Sequence, residues 1–151
     1  MKYLLGGLVL AISACTISPS IGLESNKEED KIEIHVQRNN PTINAIQYVG
    51  MTESSNRQEL KDYTGVDPVR TEWCAAFVNA VLNETGIKGS DTVSAYPLTA
   101  RSFLKWGTEV VDPQPGDIIV FPRGNSSWQG HVGFYLKTQI VNGVEYYLIL
   151  G

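Results

Sequence analysis

The stretch HVGFYLKTQIVNGVEYYLIL, residues 131–150, decides the fold, because here the chain takes up the period of a sheet. HVGFYLKTQIV reads as a long strand. Asn142-Gly143 is the residue pair that a type I′ hairpin turn demands, and VEYYLIL pairs back antiparallel. Just upstream, DPQPGD is a turn and DIIVF (117–121) reads as a fully buried strand.

Everything before that point reads as helix. NPTINAIQYVG (40–50) has Asn40 to cap, Pro41 for the first turn and Gly50 to end it, with Ile43, Ile46 and Val49 as an apolar face. SNRQELKDYTG (55–65) is a weaker helix, capped by Ser55 or Asn56 and closed at Gly65. VDPVR is a turn. The strongest helix starts near Glu72, with Thr71 as N-cap, and buries Phe77, Val78, Val81 and Leu82 before Gly86. PLTARSFLKWG is a further short helix ending at Gly107. Helices first and an antiparallel sheet after them give the α+β class.

The N-terminal end carries an address. In MKYLLGGLVLAISAC, Lys2 supplies a positive start and Tyr3 to Ile12 an apolar run too short to span a bilayer. Cys15 stands where cleavage is expected. Residues 1–15 therefore read as a lipoprotein signal whose Cys15 is lipidated, with ordinary signal cleavage or an uncleaved anchor as the alternatives. Residues 16–39, polar and charged through NKEEDK, read as a tether, and KIEIHVQ within it alternates like a short strand. Residues 40–151 are left as one domain of about 110 residues. Thr16 is not the aspartate that marks inner-membrane retention in many Gram-negative bacteria. The expected location is thus the periplasmic face of the outer membrane in such an organism, and otherwise the cell surface.

The chain has 12 basic and 16 acidic residues, a net charge of −4. Removing the signal takes away one Lys and no acid, so the balance becomes more acidic still. A nucleic-acid partner is not expected of such a surface. No Cys/His cluster has metal spacing, so no metal and no cofactor is expected.

With Cys15 lipidated, Cys74 is alone in an exported protein: a buried bystander, an intermolecular bridge or a nucleophile. Its expected place in the first turn of a core helix favours the thiolate, because the helix N-terminus presents unpaired N–H groups to the sulfur. On that basis its pKa should fall and iodoacetamide should label it faster than a free thiol. Of the two histidines, His35 lies in the tether and His131 opens a strand, where its ring can act as a base. Trp73 and Trp128 flank the pair in sequence and are weak candidates to line a cleft. Asp117 reads as a turn residue. Glu53 and Asn56 form a polar spot with no assigned role.

Three blocks in order, WCAAFVNAVL (73–82), PQPGDIIVF (113–121) and GHVGFYL (130–136), resemble the NlpC/P60 and CHAP superfamily of cell-wall cysteine hydrolases. With ARSFLKWG (100–107) they are most similar to its small WCAAFVN amidase branch. The resemblance implies a papain-like fold with Cys74 as nucleophile, His131 as general base and peptidoglycan peptides as substrate. It also implies a third polar residue, on the strand after the His strand, that orients the imidazole. In that branch an Asn follows in GGNQ, just past Gly151, so the domain is expected to be truncated at its C-terminus unless Glu145 substitutes. The alternative function is a non-catalytic lipoprotein that binds wall peptides.

Overall fold

The computed structural model describes residues 40–151. The expectations for Cys15, His35, the signal and the tether lie outside the described residues.

Three helices come first: α1 (Pro41–Ala45), α2 (Arg57–Thr64) and α3 (Cys74–Glu84). Asn40 caps α1 as expected, its carboxamide oxygen accepting the Thr42 N–H at 3.0 Å. The apolar face expected of this segment is turned round. Ile43, Ile46 and Val49 are exposed, and Ala45 enters the core. The α-helix lasts only five residues before tightening to a 3₁₀ turn at Ile46–Tyr48, so a 3.6-residue stripe cannot persist. Tyr48 makes the inward contact instead, stacking on Tyr63 of α2 with ring centroids 4.3 Å apart and meeting Phe77 of α3 edge-on at 5.5 Å.

Helix α3 is the spine. Phe77, Val78, Val81 and Leu82 are all buried, as the spacing predicts. The helix begins at Cys74, later than expected, with Trp73 rather than Thr71 at the N-cap and no side chain capping it. The Thr71 N–H bonds the Asp67 carbonyl and so closes the preceding turn. Downstream, ARSFLK (100–105) forms a 3₁₀ helix that buries Ala100 and Phe103 against the same core.

The sheet is three-stranded and antiparallel in the order β1 (Ile118–Pro122), β2 (Gly130–Val141), β3 (Val144–Leu150). Asn142 and Gly143 both have positive φ, 53° and 77°, as the expected hairpin turn requires. β1 is not the fully buried strand its apolar run suggests. It is an edge strand whose residues are half-buried, with Pro122 exposed at its end. Val132 and Phe134, on the inward face of β2, complete the core with α3. Helices packed on a small antiparallel sheet make this an α+β, papain-like arrangement.

Candidate active site

Along β2 the backbone N–H groups alternate between its two neighbours. Tyr135 N–H bonds the Asp117 carbonyl before β1 at 2.7 Å, and Arg123 N–H bonds the Gln129 carbonyl at 3.4 Å. This phase sends the N–H groups of Gly133 and His131 toward β1 and that of Val132 toward the other edge. There β3 pairs with β2 only as far as Phe134–Leu150. Cys74 packs against the core cluster that includes Val132, whose N–H acts on the sulfur, as does that of Ala75 in the first turn of α3. Cys74 therefore meets β2 one residue from His131.

A second contact joins the same two elements. Glu72, just before α3, accepts from Nη1 of Arg123 at 3.2 Å across the groove. The pairing Phe121–His131 places Arg123, two residues on, on the same sheet face as His131. Both Glu72 and Arg123 are close enough to act on the charge of Cys74 and of His131.

Electrostatics correct one expectation. Burial pushes the Cys74 thiol up from its ordinary value, and Glu72 adds to the rise. The Val132 and Ala75 N–H groups and Arg123 pull the other way and do not prevail. Burial also lowers the His131 pKa, Arg123 lowers it further, and Glu72 opposes. Both shifts favour the uncharged forms, thiol and neutral imidazole. The helix terminus faces the sulfur as expected, but loss of water outweighs it.

A match to the CHAP domain covers residues 66–149. The chain belongs to the CHAP-domain family. CHAP domains are typically hydrolases, so in broad class the chain is a cell-wall hydrolase or amidase acting on peptidoglycan. No curated protein and no solved structure gives a significant match. Helices α1 and α2 precede the CHAP span, yet they pack on it through Tyr48 and Tyr63.

Among the other residues singled out in this CHAP chain, Trp73 has mainly a packing role. Its indole N–H donates to Glu53 at 3.0 Å and its ring meets Phe77 edge-on at 5.7 Å. That bond also gives Glu53 its role, holding the residue before Cys74, while Asn56 accepts the Thr52 N–H. Trp128 is 63% exposed on the β1–β2 loop, free to meet a ligand. Asp117 is the turn residue expected, its carboxylate accepting the Gln114 N–H at 2.7 Å. Glu145 pairs with Ile140, nine positions along β2 from His131 and roughly 30 Å away. It is no substitute for an orienting residue. No side chain among the described residues hydrogen-bonds the His131 imidazole. A cavity of about 540 Å³ lies beside β1, lined by Phe103, Trp106 and Val120 among others, and contains neither Cys74 nor His131.

Sequence reasoning missed Glu72 and Arg123. Glu72 was legible only as the start of a helix. Arg123 becomes visible only when strand register sets it beside His131.

Proposed function

We propose that the chain is an exported, lipid-anchored cysteine hydrolase that cuts amide bonds in peptidoglycan peptides. Cys74 is its nucleophile and His131 its general base. The observation that carries this reading is the packing of Cys74, at the start of α3, against the core that includes Val132, the residue after the only imidazole among the described residues.

The chemistry follows from two neutral groups. As the sulfur adds to the substrate carbonyl carbon, His131 takes the thiol proton, so neither charge is buried alone beforehand. The carbonyl π electrons move to oxygen. At the uncapped start of α3 the Cys74 backbone N–H has no acceptor among the described residues, and it is placed to bond the oxyanion. Collapse of the adduct breaks the C–N bond and His131 returns the proton to the leaving amine. Water, deprotonated by the same imidazole, then hydrolyses the thioester and regenerates the thiol. Antiparallel pairing continued in register past Phe134–Leu150 would set the third residue beyond Leu150 opposite His131, the place an orienting Asn or Asp needs.

The lipid on Cys15 and the tether of residues 16–39 complete the proposal. Fully extended, two dozen residues reach roughly 80 Å, enough to carry the domain from a membrane to the wall. The test is digestion of purified muropeptides by the full chain and by its Cys74→Ala form, followed by mass spectrometry. One water gained per cut bond with the first and no cut with the second is the expected result. The unpartnered imidazole of His131 favours one second reading, a binder of wall peptides. Binding by both proteins with no cut by either would establish it and overturn hydrolysis.

A further inference from the structure

We propose that Arg123 is the carboxylate-binding residue of the cleft, and that Glu72 is a resident stand-in which a peptide carboxylate displaces. This inference rests on the reading of the substrate as a wall peptide. Its ground is how differently the arginines are used. Arg57 grips Asp67 with two nitrogens, Nε at 2.9 Å and Nη2 at 2.5 Å. Arg101 also makes one bond, from Nε to the Gln129 carbonyl at 3.0 Å, and Arg70 lies 3.7 Å from Asp67, but among the described residues only Arg123 ties the β1–β2 loop to the residues before α3. Arg123 makes one bond, from Nη1, and its Nε and Nη2 have no acceptor among the described residues.

A guanidinium engaged at one corner, beside the residues proposed for catalysis, keeps the fork that a carboxylate fills in bidentate fashion. The Arg123 and Glu72 side chains are 52% and 78% exposed, so their ion pair contributes little to the fold and is readily exchanged. On displacement Glu72 turns to water, where its carboxylate is hydrated, and the guanidinium pairs with the peptide acid in its place. Trp128, exposed on the same loop, offers an apolar wall for the peptide carbon skeleton. Recognition at Arg123 would hold a free carboxylate to one side of the scissile amide and so select peptides that end or branch near the cut.

The test uses the full chain carrying Cys74→Ala, so that nothing is consumed. Two stem tetrapeptides are titrated by calorimetry, identical except that the terminal D-alanine is a free acid in one and a carboxamide in the other. The acid should bind about 10- to 100-fold tighter. Arg123→Gln should erase the difference while far-ultraviolet circular dichroism is unchanged. Arg123→Lys should restore part of it, and Glu72→Gln should tighten the acid selectively. Equal binding of acid and amide, no binding of either, or a preference that survives Arg123→Gln would overturn the assignment. Cleavage by the Cys74 chain is scored separately. If it cuts acid and amide peptides equally well, the hydrolase reading stands and Arg123 falls. If it cuts neither while the acid still binds preferentially, the reverse holds.

Discussion

Replacing Asn79 with Ala should unfold the protein about 3 kcal/mol more easily, although no charge is touched. Asn79 lies on α3 and its carboxamide is the hub of a buried polar knot. Its oxygen accepts the Ser90 backbone N–H at 2.7 Å, and its NH₂ donates to the Pro97 carbonyl at 3.0 Å and to the Ser90 hydroxyl at 3.2 Å. Ser90 has no exposed surface, and the Ser102 hydroxyl closes the knot by donating to that of Ser90 at 2.8 Å. In Asn79→Ala the Pro97 carbonyl still accepts from the Ser90 hydroxyl at 3.3 Å. The Ser90 N–H has no second acceptor. One stranded buried donor costs about 1–3 kcal/mol, and the space left by the carboxamide adds about 1 kcal/mol. In a domain of this size that sum lowers Tm by about 12 °C. Ser90→Ala is the control, since it keeps the N–H bond and loses only the hydroxyl, at about 1 kcal/mol. Urea denaturation of the three proteins decides the matter. A cost below about 1 kcal/mol for Asn79→Ala, or one no larger than for Ser90→Ala, would refute the claim that the backbone donor dominates.

Three further outcomes follow from the site and sheet. Iodoacetamide should label Cys74 at pH 7 more slowly than a free small thiol, because burial raises its pKa, and a faster rate would show an activated thiolate. In the pH profile of kcat/KM, His131 must be neutral to act as base, so activity is lost as pH falls through its pKa. Burial and Arg123 depress that pKa below 6.5, so the acid limb should fall below 6.5, and a limb above it would contradict the neutral-pair mechanism. Gly133→Ala should cost about 1–3 kcal/mol in urea denaturation, since its Cβ would lie 2.5 Å from the Leu150 carbonyl oxygen. An unchanged midpoint would mean that the hairpin is looser than it looks.

The hairpin and α3 were legible in the sequence because each repeats one signal over many residues. The positive-φ pair Asn142-Gly143 and the stripe from Phe77 to Leu82 depend on local backbone preference and apolar spacing alone. Where the structure departed, the deciding force was tertiary. Ile43, Ile46 and Val49 follow helical spacing, yet a segment that tightens after one turn presents whichever residues meet α3, and these are Ala45 and Tyr48. DIIVF reads as central by its apolar run, but what makes a strand central is a second neighbour, and β1 has only β2. The start signal at Thr71 misled as well, for that residue ends the turn closed on Asp67 and the helix begins three residues later.

The candidate site divides along the same line. Cys74 and His131 could be proposed from the sequence because few residue types perform that chemistry, whatever the register. Their charge states could not be read there. The helix terminus argued for thiolate, and only the burial of both groups reverses the sign. Arg123 was beyond reach for a different reason: in PRGNSSWQG it looks like any loop arginine. Pairing Phe121 with His131 turns that loop position into a place on the His131 face, and a shift of one residue would aim it at the opposite face. The same register thus decides which cation shares the face of His131. A sequence motif can carry the nucleophile and the base, whereas the residue proposed to choose the substrate is positioned by hydrogen bonds that leave no local mark in the chain.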